Sequence, residues 1–356
     1  MSVSLSAPGN EDWVEGNPSR PHDPDETDYK LLRENSVIKS YTTSQFTYSS
    51  IRVVYRRHPE ADQRSLPLLV LVHGLGGSAA QIHSLLTRLK DTTSFLAIDL
   101  PGCGRSKFDP EAWGAYSFES LVEIVDIIAS EFRQDDKIVL HGQSMGSAIC
   151  AQLASRTSPN PSRIRDHVVG YIATCPPAKQ LPPAASWIIK MLSCLPSWVF
   201  DVASLWDARG GPESYSVTQW LEPDAGFHIK RVQHRYNMQT RTPVWQRFIY
   251  GIAPTFENGR ATAGQPGADI WAGVDVPVLL IFGEADHITP PANLDILREY
   301  IRGETDSSGQ PDAGKPAFRG FVLPAPANHC LIYLPSTVDV VARHIQNFLQ
   351  EEILKS

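Results

Sequence analysis

The chain has 356 residues, a formal net charge of −7 and an apolar content of 42%, values in the usual range for soluble globular proteins. They exclude a wholly disordered chain and a coiled coil, and a pI near 5.9 argues against a nucleic-acid-binding protein, which would carry a surplus of Lys and Arg. Five cysteines, an odd number in a long chain, predict no disulfide scaffold.

The N-terminal segment differs in composition from the rest of the chain. Up to Lys30 it contains seven acidic and two basic residues, which is −5 of the total charge of −7, and it has no apolar periodicity. We predict a disordered acidic tail over residues 1–34 and a nearly neutral folded body, which has no charge-based reason to bind nucleic acid or an anionic membrane. Neither a signal peptide nor a transmembrane helix is predicted, so we expect a cytoplasmic protein.

Buried strands alternate with amphipathic helices after the tail. Strands are predicted at residues 47–57, 68–72, 95–98, 137–140, 168–173, 276–282 and 318–323. Helical spacing of apolar residues lies between the strands, as at Ile82, Leu85, Leu86 and Leu89. This alternation predicts βαβ units and a mostly parallel sheet.

The alternation is interrupted in the middle of the chain. Four prolines crowd residues 176–183, and five of the eight tryptophans follow before residue 264, without a buried-strand pattern. We therefore predict a helical insertion at 177–264 that separates two parts of one α/β domain, 35–176 and 265–356.

A nucleophile is predicted at Ser144. The sequence Gly142-Gln-Ser-Met-Gly146 lies between an apolar strand and a helix. The turn needs small flanking residues because the backbone of the nucleophile is strained and the neighbouring chain packs close to it. It exposes the Ser144 hydroxyl at the carboxyl edge of the sheet and at a helix N-terminus, where the helix dipole favours developing negative charge.

A second glycine-rich turn, His73-Gly-Leu-Gly-Gly77, ends another buried strand. A tetrahedral oxyanion needs two preorganised hydrogen-bond donors. The backbone N–H groups of Leu75 and Met145, the residue after the nucleophile, are the candidate donors.

Serine needs an adjacent base to act as a nucleophile. His329 is the candidate base because it follows the last strand, at the same sheet edge as Ser144. Asp286 follows the preceding strand and is the candidate acid that orients His329, with Glu284 as its rival. The resulting chain order Ser–Asp–His is the one expected for this arrangement on an open α/β sheet.

These motifs together resemble the α/β-hydrolase superfamily, in its serine-hydrolase branch with a helical cap (esterase-, lipase- and peptidase-like proteins). The resemblance implies an eight-stranded, mostly parallel sheet flanked by helices, a helical cap inserted after strand six, and hydrolysis through an acyl-enzyme. Haloalkane dehalogenases and epoxide hydrolases of this superfamily use an aspartate where this chain has Ser144, which speaks against those two activities. The resemblance covers about residues 36–353 and rests on five motifs, at 73–74, 99–106, 142–146, 283–286 and 328–329.

We therefore expect a serine hydrolase that cleaves an ester, thioester or amide with an apolar acyl group, most simply a carboxylic ester. No phosphate loop, H-E-x-x-H or paired C-x-x-C motif occurs, so neither cofactor nor metal is expected. An acyltransferase or a C–C bond hydrolase with the same triad remains an alternative. So does a non-catalytic lipid-binding or interaction protein on the same fold.

The insertion should set substrate choice, because the sheet domain supplies only the geometry of attack. Trp187, Met191 and Trp198 are tentative substrate-binding residues in its apolar segment. The same segment could instead form the core of the insertion or make peripheral contact with a lipid surface. Lys190 and Asp201 within it argue against deep membrane insertion.

Overall fold

The structure, a computed structural model, describes residues 27–134, 136–303 and 315–355. Its strands are β1 (Ser36–Thr42), β2 (Thr47–Arg56), β3 (Leu68–Val72), β4 (Ser94–Ile98), β5 (Ile138–Gln143), β6 (Val168–Thr174), β7 (Thr255–Glu257), β8 (Arg260–Ala263), β9 (Val278–Gly283) and β10 (Phe318–Leu323). Eight of them form one sheet in the order β1-β2-β4-β3-β5-β6-β9-β10, and β7 and β8 form a separate hairpin.

The large sheet is mostly parallel, as predicted. β1 and β2 are antiparallel to each other, β2 is antiparallel to β4, and the six strands from β4 to β10 in the sheet order run parallel. All seven predicted strands are present. The sequence pattern gave no indication of β1, because most side chains of this edge strand are exposed.

Helices cover both faces of the sheet. α3 and α13 pack on one face, and α4, α5, α11 and α12 pack on the other. The side chains of β3 point alternately to these two layers and all are buried, which explains why its sequence is continuously apolar. The helices are α1 (Lys30–Glu34), α2 (Ala61–Arg64), α3 (Ala79–Leu89), α4 (Phe118–Phe132), α5 (Met145–Ala154), α6 (Pro183–Ser193), α7 (Ser197–Ala208), α8 (Tyr215–Thr218), α9 (Phe227–Gln239), α10 (Thr242–Ile252), α11 (Ala268–Ala272), α12 (Asn293–Arg302) and α13 (Val338–Phe348).

The chain between β6 and α11 leaves the sheet. It forms helices α6 to α10 and then the β7–β8 hairpin before it returns. The helices lie where the insertion at 177–264 is predicted, whereas the hairpin was not expected. The division of the chain at residues 176 and 264 stays a prediction. Within the described ranges no single helix has the length and apolar content needed to cross a membrane.

The prediction of a disordered tail over residues 1–34 is wrong for its last eight residues. Asp28, Tyr29 and Leu32 are buried, and Lys30–Glu34 is helical. Asp28 is not a solvated acid, because its carboxylate pairs with the buried Arg52 and, at 2.9 Å, with Arg105. Residues 1–26 lie outside the described residues.

Asp28 belongs to a buried network of charges. Arg52 lies between Asp28 and the carboxylate of Asp99, which is 3.8 Å away and follows β4. The next residue of the segment, Tyr29, stacks on His83 with ring centroids 4.0 Å apart. The start of the described chain is therefore part of the core, held by charge pairing and by aromatic contact.

Replacing Asp28 should destabilise the fold. Asp28→Ala leaves Arg52 buried without its nearest carboxylate, so we expect the free energy of unfolding to fall by about 3–5 kcal/mol in urea titrations. Glu34→Ala, an exposed acid of the same segment, is the matched control and should change it by less than about 0.5 kcal/mol. Equal effects of the two substitutions would contradict the role of Asp28.

Candidate active site

Ser144 lies in the sharp turn between β5 and α5. Its backbone has φ 49° and ψ −121°, a conformation that costs free energy for any residue other than glycine. Two glycines permit the turn. A Cβ atom at Gly142 would lie 2.2 Å from Ser147 Cα, and one at Gly146 would lie 2.2 Å from the carbonyl oxygen of Val72. The Gly-x-Ser-x-Gly pattern thus has a direct steric cause in this chain.

The loop after β3 passes beside Ser144. A Cβ atom built on Gly74 would lie 3.2 Å from Ser144 Cβ and 3.8 Å from its Oγ. His73 anchors this loop, since its Nδ1 lies 2.7 Å from the Gly74 carbonyl oxygen and its Nε2 accepts a hydrogen bond from the Leu100 N–H at 3.0 Å. Burial lowers the pKa of His73, so the ring is neutral and serves as a structural bridge.

The two candidate oxyanion donors are backbone N–H groups of these two turns. Leu75 continues the loop after β3 and lines the cavity next to Ser144, and Met145 is the first residue of α5. The first N–H groups of a helix have no acceptor within the helix. Among the residues that the structure describes, no acceptor is present for the N–H of either Leu75 or Met145.

Asp286 and His329 are hydrogen-bonded at the same sheet edge. The His329 Nδ1 lies 2.7 Å from Asp286 Oδ2, and both side chains are buried. The carboxylate also accepts hydrogen bonds from the Thr289 hydroxyl at 2.7 Å and from the backbone N–H groups of Ile288 and Thr289 at 2.9 and 3.0 Å. These bonds fix the orientation of both side chains.

The hydrogen bonds also keep Asp286 ionised. Burial alone would raise the pKa of Asp286, but the hydrogen bonds and charge of His329 and the hydrogen bonds of Thr289 outweigh it and lower the pKa to about 2. An ionised carboxylate can only accept a hydrogen bond, so Nδ1 of His329 carries the proton and donates to Asp286. In a neutral imidazole, Nε2 is then the basic nitrogen. The rival acid Glu284 is exposed and accepts a bond from the Ala325 N–H instead.

A third polar group lies beside this pair. Cys175, Asp286 and His329 each place one potential metal-ligating atom within 4.8 Å of the others. Burial and the nearby Asp286 raise the pKa of the Cys175 thiol well above its usual range, whereas metal binding requires a thiolate. The Nδ1 of His329 is already engaged by Asp286. The arrangement therefore fits hydrogen bonding better than metal coordination.

Ser144 and His329 line one cavity of about 630 Å³. Its volume is in the range of small-molecule sites. The floor comes from the sheet edge, and the walls come from α7 to α10. The ring of Trp220 lies 5.6 Å from that of His329. The larger apolar and aromatic side chains of the lining are Leu75, Phe200, Tyr215, Trp220, Met238, Trp245, Ile288 and Tyr333.

The tentative substrate-binding residues do not line this cavity. Trp187, Met191 and Trp198 are 64%, 56% and 66% exposed, so the prediction that they form the pocket is wrong. α6 and α7 turn these side chains outward. Phe200 of the same apolar segment does line the cavity and packs against Trp245, with ring centroids 5.7 Å apart. Sequence periodicity identifies the apolar face of a helix but not the neighbour that this face contacts. For that reason the sequence did not identify Trp220 and Trp245 as residues of the cavity.

Comparison with known proteins is consistent with this geometry. The model of the alpha/beta hydrolase family matches residues 69–343. The chain is 23% identical over 283 residues to an abhydrolase domain-containing protein of Schizosaccharomyces pombe, covering 77% of this chain and 70% of the relative. It is 26% identical over 259 residues to a pimeloyl-[acyl-carrier protein] methyl ester esterase of Neisseria meningitidis, covering 68% and 86%.

A further similarity is local. Protein phosphatase methylesterase 1 of Schizosaccharomyces pombe is 35% identical over 148 residues, 35% of this chain, and the chain spans only 43% of the length of that relative. Among solved structures, an esterase of Exiguobacterium antarcticum matches with a TM-score of 0.64 at 12% identity and covers 88% of this chain and 100% of its own. A Thermogutta terrifontis esterase has a TM-score of 0.60 at 18% identity, with coverages of 89% and 98%. At these identities the structural matches establish the fold.

The low pKa of Asp286 predicts a pH-dependent contribution to stability. A folded pKa of about 2 lies below the value of about 3.9 for an unfolded aspartate, so the stabilisation is present above pH ~4 and is lost as the pH falls towards 2. We expect Asp286→Asn to lower the free energy of unfolding at pH 7 by about 2–3 kcal/mol, and the difference from the parent to shrink below pH ~4.

Chemical denaturation at several pH values measures this difference. The control is Asp295→Asn, which removes a carboxylate that is 79% exposed and should show a small difference at every pH. An Asp286→Asn difference that stays constant down to pH ~2.5 would contradict an ionised Asp286.

Proposed function

Since the chain belongs to the alpha/beta hydrolase family, it is a hydrolytic enzyme of the esterase kind, and we propose that it works as a serine hydrolase with Ser144, His329 and Asp286 as its triad. One observation carries the proposal. The Asp286–His329 hydrogen bond of 2.7 Å engages Nδ1 of His329, so Nε2 is the ring nitrogen left to act as a base, and His329 lines the same cavity as Ser144.

In the proposed first step, Ser144 Oγ attacks the carbonyl carbon of the substrate. His329 Nε2 accepts the hydroxyl proton, and the ionised Asp286 stabilises the imidazolium that results. The carbonyl electron pair moves onto oxygen, and the N–H groups of Leu75 and Met145 donate to this oxyanion. When the tetrahedral intermediate collapses, the bond to the leaving alcohol breaks and His329 returns the proton to the alcohol oxygen.

In the second step, water releases the acyl group. His329 takes a proton from the water as its oxygen attacks the acyl carbon, and the same two N–H groups hold the second oxyanion. Collapse of this intermediate breaks the bond to Ser144 Oγ, which recovers its proton from His329. The products are a carboxylic acid and the free enzyme.

The lining of the cavity supports an apolar acyl group as substrate. Phe200, Trp220 and Trp245 present aromatic surface from three parts of the insertion, and Leu75 adds aliphatic surface next to the nucleophile. Such surfaces favour an alkyl chain through the hydrophobic effect. Two relatives are named for methyl ester hydrolysis, which supports an ester over a thioester or amide.

Substitution of the triad tests the proposal. We expect Ser144→Ala and His329→Ala each to lower kcat for p-nitrophenyl octanoate by at least about 10⁴-fold, because the members of a triad act as a unit. His287→Ala is the matched control, since His287 is exposed and does not line the cavity, and it should retain the parental kcat.

The preference for acyl-chain length tests the acyl site separately. An apolar acyl site requires a higher kcat/KM for the octanoate ester than for the acetate ester.

Circular dichroism and thermal unfolding establish that each variant is folded. Parental turnover by folded Ser144→Ala protein would exclude Ser144 as the nucleophile. A preference for the acetate ester would leave the triad intact but contradict the proposed acyl group.

A further inference from the structure

The outer side of α6 and α7 is apolar. Nine large apolar side chains of these helices and of the turn between them are each at least 40% exposed, and those on each helix recur at helical spacing, so they share one face per helix. We call the set the tryptophan face: Trp187, Ile188, Met191, Leu192, Leu195, Trp198, Val202, Leu205 and Trp206. Exposed apolar surface of this extent marks an interaction site.

The charges within this segment do not interrupt the face. Lys190 Nζ donates to the hydroxyl of Thr255 and lies 5.2 Å from the ring centroid of Tyr250. Asp201 accepts a hydrogen bond from the hydroxyl of Thr242, the first residue of α10. Both charged groups are thus bonded to the rest of the insertion, which removes the objection that their presence in the sequence raises against contact with lipid.

The geometry of the two helices favours an interface over a membrane span. Taken together, α6 and α7 have the length and apolar content of a spanning helix, but they are bent by 88° with respect to each other. A pair bent this sharply cannot run straight through a bilayer. The three tryptophans of the face, Trp187, Trp198 and Trp206, are of the residue type that prefers the level of the lipid headgroups.

The net charge of the insertion indicates which kind of lipid surface the tryptophan face would contact. The insertion at 177–264 has nine Lys and Arg against six Asp and Glu, a net charge of +3, so the other residues of this −7 chain carry −10. The near-neutral net charge of −2 predicted for the body is thus the sum of a basic insertion at +3 and an acidic remainder at −5, with the other −5 in the N-terminal segment. Exposed bases flank the tryptophan face, with Lys179 before α6 and Arg209 after α7. This is the distribution that anionic lipids attract.

The tryptophan face and the lining of the cavity share helix α7. α7 lines the cavity with Phe200, Ala203 and Ser204, and carries Val202, Leu205 and Trp206 of the face on the same two turns. We propose that α6 and α7 dock on an anionic phospholipid surface. This contact would present the cavity to esters dissolved in the lipid, a consequence that rests on the proposed function, whereas the docking does not.

Vesicle flotation tests the docking with the full chain. We expect the protein to float with vesicles of phosphatidylcholine and phosphatidylglycerol, and to float less with phosphatidylcholine alone or in high salt. The triple variant Val202→Gln, Leu205→Gln, Trp206→Gln should lower the partition coefficient at least about tenfold, because three apolar side chains no longer leave water. Its matched control is Val37→Gln, Ile38→Gln, Val322→Gln, which changes exposed apolar residues of β1 and β10 and should float like the parent.

The outcomes separate docking from catalysis. Ser144→Ala protein should float like the parent, even if it has no activity. Absence of flotation by the parent, or equal flotation of the two triple variants, would overturn the proposal. So would self-association of the parent in sedimentation that the Val202–Leu205–Trp206 variant abolishes without any vesicle binding, since the face would then be covered by a second copy.

Discussion

The close approach of the β5–α5 turn to β3 is the constraint on which the site depends. With no side chain at Gly146, the start of α5 reaches the end of β3, where a Cβ atom would lie 2.2 Å from the Val72 carbonyl oxygen. Ser144 is thereby held with a positive φ of 49° beside the loop that carries Leu75. The proposed nucleophile and the proposed oxyanion donors would then occupy fixed relative positions, so little free energy would be needed to organise them during a reaction.

Two buried carboxylates, Asp286 and Asp99, hold the loops around the proposed site in place. Asp286, held ionised by His329 and Thr289, orients the imidazole of His329, which lines the same cavity as Ser144. At the start of α3, Asp99 accepts a hydrogen bond from the Ala79 N–H at 2.7 Å and lies near Arg52, which binds Asp28 of the N-terminal segment. The loops around the site are thus tied by charge-assisted hydrogen bonds, which are stronger than neutral ones.

Local patterns predicted the sheet and the positions of the polar residues along it, because strands buried on both faces are continuously apolar and parallel strands end at one edge. Where sequence reasoning failed, the missing information was long-range. Asp28 looked like a solvated acid because its partner Arg52 is distant in sequence. Trp187 and Trp198 lie in an apolar segment, yet the sequence does not reveal whether a neighbour covers its side chains, and both are exposed. Residues 1–26 and the predicted surface loop at 304–314 lie outside the described residues.

The central claim is that Ser144 becomes covalently acylated during turnover. The most direct measurement is peptide mass spectrometry of enzyme quenched in acid during hydrolysis of a slow p-nitrophenyl ester. We predict a mass increase of one acyl group on the peptide that contains Ser144, and accumulation of this species when deacylation limits the rate. An acyl group on another residue, or substrate turnover with no covalent species even under single-turnover conditions, would contradict the account.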